Sequence, residues 1–335
     1  MSDKEVSITR YDPQYANIWN DFNRKAVNGL FMFDRAYMDY HSDRFKDHSL
    51  LFYYGDELFA IIPANDDGFG EFYSHQGLTY GGFVFDDRMK QHIMVELFNK
   101  WFDYLDDNHF EKVAYKAIPH IFHRIPAEED IYLMHVIGAD VENTQVATTM
   151  CLLEPIKMHK GRKAQISRAK REGVEIFERQ EDLFYIDFFK QENAILDKYH
   201  GARTVHSAEE MILLRNRFPQ QIRLFTAERN NQMLGGAVIY EYDNVIHTQY
   251  LGSFGEGRII GALDLLISDI ISKYRDTKKW MDFGTSSKEK GRGINTGLIS
   301  QKEGFGGRSL VYTAYEFEVK SAKQRLREWR TNYIG

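Results

Sequence analysis

The sequence predicts an α+β protein made of two tandem domains, each a mixed sheet flanked by helices. Three observations predict it. The chain has 335 residues, room for about two domains at roughly 150 residues each. One order of elements, hairpin to strand to helix to strand, runs once through each half. Aromatic residues make up 14%, with 20 Tyr and 24 Phe, which favours strands carrying large packed side chains.

Composition also excludes classes. Hydrophobic residues at 43% and charged residues at 27% are enough for a buried core and unlike a disordered chain. The single Cys151 excludes a disulfide scaffold and a cysteine-rich zinc site and fits a reducing compartment. A net charge of −6 argues against a general nucleic-acid binder, and no DNA partner is expected. Residues 1–13 are polar and resemble no signal peptide. The apolar run 259–271 is broken by Asp264, Ser268 and Asp269, too short and polar to span a bilayer. A cytoplasmic protein without a metal is expected.

In chain order, 13–28 reads as a helix with Ile18, Trp19 and Phe22 on its apolar face, stopped by Gly29. Residues 50–54 and 58–64 around Gly55-Asp56 read as a hairpin. Segments 69–75 and 77–85 are strand-like. In 88–105, Met89, Ile93, Leu97, Trp101 and Leu105 recur at helical spacing. Residues 110–118 read as a strand, 119–143 as irregular, and 144–153 as a strand. A basic helix is expected at 157–172, then helices at 182–199 and 207–218. A hairpin follows at 222–228 and 233–242, a strand at 244–251, a helix at 262–274 and a strand at 279–283. An alternating aromatic strand at 310–319 and a basic terminal helix close the chain.

The halves align on this order. Residues 49–52 match 222–225, and strand 58–64 matches 234–240. The pattern resets near Glu154-Pro155, so the expected domains are 1–154 and 155–335.

The strongest chemical cue is the stretch 250–262, YLGSFGEGRIIGA. A strand enters a glycine-rich turn and then a helix, whose N-terminal N–H groups favour an anion. Arg258 adds a cation there. The Lys-Ser or Lys-Thr of a P-loop is missing, and Gly255, Gly257 and Gly261 do not keep the dinucleotide spacing. A tight turn needing positive φ accounts for the same glycines.

This stretch resembles the acyl-donor loop of the GNAT N-acyltransferases: Arg258, Gly261 and Ala262 match, and Leu263 departs from the final small residue. Over most of the chain the sequence resembles the FemAB-type aminoacyltransferases and their tandem-GNAT relatives. The carrying segments are 279–284 (KWMDFG), 297–307 (GLISQKEGFGG), the basic helix with Ile166, Arg168, Ala169, Gly173 and Val174, and 74–82 (SHQGLTYGG). Gln301 stands where the family has Phe, and Lys302 keeps its Lys.

The resemblance implies two tandem GNAT-like, acyl-CoA N-acyltransferase domains. It implies transfer of an acyl or aminoacyl group to an amine acceptor by direct attack, without a covalent enzyme intermediate. The donor would be acyl-CoA (acetyl-CoA) or an aminoacyl-tRNA. The acceptor would be a small molecule such as an amino sugar, or a cell-wall or surface-glycan precursor. Donor-loop residues would be Leu251, Gly252, Gly257, Arg258, Gly261 and Ala262. Lys302, Tyr250 and His247 are the catalytic candidates, Lys302 as a cation and His247 as a base. His75, Tyr80, Arg162, Lys163 and Arg168 would face the acceptor. The first half, acidic at 83–88, would have a degenerate donor loop. A solvated basic helix, a core Tyr250 and a turn-stabilising Asp282 are the simpler readings of those residues. A catalytically degenerate module that binds a glycan precursor or a protein partner is the rival from another class.

Overall fold

A computed structural model describes residues 5–288 and 291–333. The chain divides into two compact units, 1–145 with 311–335, and 146–310. This departs from the expected 1–154 and 155–335. The boundary falls inside strand Asp140–Cys151, and the chain leaves the second unit inside strand Arg308–Glu318. The physical reason lies in the terminal helix Val319–Tyr333. Its apolar residues Val319, Ala322 and Leu326 are buried in the core of the first unit.

In that first unit, Val6–Arg10, Leu50–Tyr54, Glu57–Ile62 and Val84–Phe85 form an antiparallel sheet. A second set of strands includes Glu71–Tyr73, parallel to Lys112–Lys116, which pairs antiparallel with the 314–318 portion of strand Arg308–Glu318. Helix Gln91–Asp107 has no glycine or proline, and sets Met94, Leu97, Phe98, Trp101, Phe102 and Leu105 on its buried side. Helix Glu129–Val136 lies where the sequence reads as irregular. Its Glu129 and Asp130 sit in the first turn, where acids suit the helix dipole.

In the second unit the strand order is Glu175–Arg179, Ile222–Arg229, Gln232–Glu241, Val245–Ser253, Trp280–Thr285, then the 147–151 portion of strand Asp140–Cys151. All these pairings are antiparallel except the parallel one between Val245–Ser253 and Trp280–Thr285. Side chains alternate across the sheet. Ala237 and Ile239 join the core beneath helices Lys160–Arg171 and Ala262–Tyr274. On the opposite face, helix Asp182–His200 brings Phe188 against Gly236, and Ala208–Arg217 brings Met211 against Tyr240. Ser207 and Glu210 close a capping box at the start of the latter helix.

The same device therefore occurs in both units. A hairpin is followed by a strand, a helix and a strand parallel to the first, with three parallel pairs each: 71–73 with 112–114, and 245–247 with 280–282.

Candidate active site in the second unit

Parallel pairing of Val245–Ser253 with Trp280–Thr285 ends at His247 and Asp282. Beyond that pair the first strand continues beside Gln232–Glu241, but with a bulge. Ile239 faces Thr248 and Val238 faces Tyr250, so Gln249 has no opposite number. A bulge leaves local backbone groups outside the ladder and re-aims the strand. The strands thus form a fork, with His247 and Asp282 at its base.

These two residues form a buried pair. Nδ1 of His247 lies 2.7 Å from Oδ2 of Asp282, whose side chain is 0% exposed. A carboxylate accepts only, so Nδ1 carries the hydrogen and Nε2 is the ring nitrogen turned away from Asp282. Asp282 is itself held by the Thr149 hydroxyl at 2.9 Å and the Gly284 N–H at 3.2 Å. Among the described residues, no hydrogen bond engages Nε2 of His247. Gly284, at φ +68°, keeps the ring edge open, since a Cβ there would lie 3.3 Å from Cε1 and 4.0 Å from Nε2. The turn-stabilising role expected of Asp282 is present, and orientation of His247 is added to it.

Lys302, on helix Thr296–Glu303, reaches the strand end beside this pair. It is 4% exposed. Its Nζ donates to Gly284 O at 2.8 Å, Thr285 O at 3.0 Å and the Ser286 hydroxyl at 2.9 Å. An ammonium has three hydrogens, so all are used. Burial pulls its pKa down to about 8, against the attraction of Asp282. Next to it is a cavity of about 60 Å³, lined by residues including Leu251, Leu263, Ile267, Phe283, Phe305 and Lys302.

The glycine turn leads from the fork to helix Ala262–Tyr274. Gly257 is compelled by packing, because a Cβ there would lie 2.0 Å from Leu234 O. Gly261 has φ +82°, and a Cβ there would lie 2.7 Å from Gln165 O. No side chain caps the start of this helix, and uncapped N–H groups at a helix start are what an anion site uses. Arg258 donates from Nε to Ser253 O at 3.1 Å and lies over the Tyr199 ring at 5.4 Å.

The remaining expected residues fall elsewhere. Tyr250 is on the face opposite Leu251. It packs edge-on against Phe189 at 5.2 Å, and its hydroxyl accepts from the His206 N–H at 3.1 Å. Arg162 is not a free acceptor cation: it pairs with Asp264 at 2.8 Å and lies over the Phe305 ring. Lys163 is exposed and Arg168 half-buried, as on a solvated helix. In the first unit, His75 and Tyr80 are core side chains rather than open acceptor contacts. His75, at φ +67°, stacks on His41 at 5.1 Å, and burial holds its pKa well below the usual value. Tyr80 packs against Phe122 and Tyr312. Thr149 and Ser286 carry no motif and were invisible in the sequence; only their place in the fold reveals them.

No helix of the described residues is long and apolar enough to cross a membrane. The two units, each with its hairpin, parallel fork and intervening helix, define the tandem GNAT fold of FemAB-like proteins. The chain superposes on FemX with a TM-score of 0.63 at 8% identity, covering 98% of this chain and 100% of that one. It is similar to L-PGS from Bacillus licheniformis, with a TM-score of 0.58 at 13% identity, covering 97% and 99%. A tandem GNAT protein from the clavulanic acid biosynthesis pathway gives a TM-score of 0.52 at 10% identity, covering 94% and 99%. No family model and no curated protein matches the sequence.

Proposed function

We propose that the protein is an N-acyltransferase that moves an acyl or aminoacyl group from an activated donor to an amine acceptor. The donor is an acyl-CoA or an aminoacyl-tRNA. The acceptor is an amino sugar or a cell-wall or surface-glycan precursor. One observation carries this reading: the fork of Val245–Ser253 and Trp280–Thr285, with the His247–Asp282 pair at its base, a bulge at Gln249 and an uncapped helix start beyond. The likeness in fold to FemX and the clavulanic acid pathway protein supports it.

In this reading the donor lies along the fork in the second unit. Its phosphates meet the N–H groups after Gly261 and the Arg258 cation. The equivalent loop of the first unit carries Asp86 and Asp87, which repel phosphate, so that unit holds no donor. Nε2 of His247 takes a proton from the attacking amine, and Asp282 stabilises the imidazolium. The amine nitrogen bonds to the acyl carbon, the carbon–sulfur or carbon–oxygen bond breaks, and the leaving group keeps the electron pair. Backbone N–H groups beside the bulge steady the oxyanion. Lys302 fixes the strand end on which Asp282 and Gly284 sit.

A second reading has its own support. Lys302 spends all its hydrogens inside the protein, as in a module that binds a glycan precursor or a protein partner without turnover. Calorimetry and turnover separate the two. Acetyl-CoA or a non-hydrolysable aminoacyl-tRNA should bind, and at a hundredfold over Kd should add about 2.7 kcal/mol of stability. His247→Ala should keep that binding and lower transfer to an amino-sugar panel about 10²–10⁴-fold. Absence of binding to both donors would leave the binding module standing.

A further inference from the structure

Helix Asp182–His200 covers the strand face that carries Tyr250. Phe189 meets Tyr250 there, and Phe188 meets Phe254 at 5.7 Å. One turn beyond Phe188, Glu192 carries a carboxyl to the same strand. It is 8% exposed. Its Oε2 approaches Gly252 so closely that a Cβ there would lie 2.5 Å away. Glycine at 252 is what lets the carboxyl come in. Among the described residues, no hydrogen bond or ion pair engages it. Burial raises its pKa to about 7, with Arg258 acting in the opposite direction.

A largely buried acid without a hydrogen-bond partner costs the fold stability, and the charge of Arg258 offsets that cost only in part. A cation that can donate hydrogen bonds relieves it. A phosphate is the wrong sign, and an apolar chain leaves the carboxyl unpaired.

We propose that Glu192 is the subsite for a primary ammonium group that a substrate carries on a flexible arm. This rests on the acyltransferase reading. Gly252 lies three residues beyond the bulge at Gln249, about 10 Å along a strand that rises about 3.3 Å per residue. Glu192 therefore lies well along the strand from His247 at the base of the fork, and it is His247 that takes the proton of the attacking amine. It reads a charge remote from the reacting carbon. The ammonium is either the side-chain amine of a basic aminoacyl donor or a second amine on the acceptor.

Two matched pairs of probes separate these sources by calorimetry on the full chain. For the donor they are the 3′-amide analogues of lysyl-adenosine and norleucyl-adenosine. For the acceptor they are 1,5-diaminopentane and n-pentylamine. The ammonium-bearing member of one pair should bind at least tenfold more tightly than its partner, and that pair names the source. Glu192→Gln should abolish the preference and leave coenzyme A binding unchanged, which also reports that the variant is folded. Coenzyme A binding with no preference in either pair, or a preference that survives in Glu192→Gln, overturns the assignment alone. Loss of all binding, to coenzyme A and to both adenosine analogues, overturns the acyltransferase reading itself.

Discussion

At Lys302, three hydrogen bonds act against the cost of burying a charge. Lys116 of the first unit repeats the arrangement: its Nζ donates to the carbonyls of His75, Gln76 and Leu78 at 3.2, 3.2 and 2.7 Å. Burial pulls its pKa to about 8 as well. Each lysine ties down a turn at a strand end. The pH dependence follows from the sign of the shift. The unfolded side chain titrates near 10.5, the folded one near 8, so between these values the unfolded state binds more protons. Stability contributed by Lys302 therefore rises with pH across that window. Denaturant melts of the wild type and Lys302→Met at pH 7 and pH 10 should show the wild type gaining on the variant by on the order of 2 kcal/mol. Parallel behaviour at the two pH values would mean that the lysine titrates as if in water.

Among the elements, the glycine turn is the most sharply constrained. Gly261 combines φ +82° with a neighbouring backbone carbonyl at 2.7 Å from any Cβ, whereas Gly255 has φ +48° and nothing within 4 Å of one. Gly261→Ala should cost about 2–3 kcal/mol through strain and displacement of the 165 backbone, and Gly255→Ala about 1 kcal/mol. Equilibrium unfolding checks both, and equal costs would refute the packing argument. This turn was legible in the sequence because positive φ and close approach both demand glycine. So were the hairpins and helix Gln91–Asp107, whose periods are set by burial on one face. The His247–Asp282 pair was less legible. His247 and Asp282 are 35 positions apart and meet only because their strands run parallel. Glu192 left no signal, since a charged residue on a helix usually faces water. Helix Glu129–Val136 was hidden because its sequence lacks a strong apolar period, and its burial depends on the strands around it.

At the scale of the molecule, the units are not consecutive stretches of chain. The first unit is incomplete until residues 311–335 return to it. Phe317 and the terminal helix supply Val319, Ala322 and Leu326 to its core. Arg325 donates to the carbonyls of Ile137 and Gly138 at 3.0 and 2.7 Å, and Lys323 pairs with Asp106 at 2.7 Å. Exposed ion pairs contribute little, so the buried apolar groups dominate, at about 1.5–3 kcal/mol for each large aliphatic or aromatic side chain. Three such contributions, from Phe317, Val319 and Leu326, are comparable to the whole stability of a marginal domain. A fragment of residues 1–154 should therefore fail to fold, and the same fragment joined through a flexible linker to residues 311–335 should recover. In the full chain cut after Leu310, hydrogen exchange should accelerate across Gln91–Asp107 and Lys112–Lys116, while Ile222–Arg229 and Gln232–Glu241 keep their protection. Cooperative folding of 1–154 alone, or protection lost first from the second unit's strands, would contradict the division drawn here.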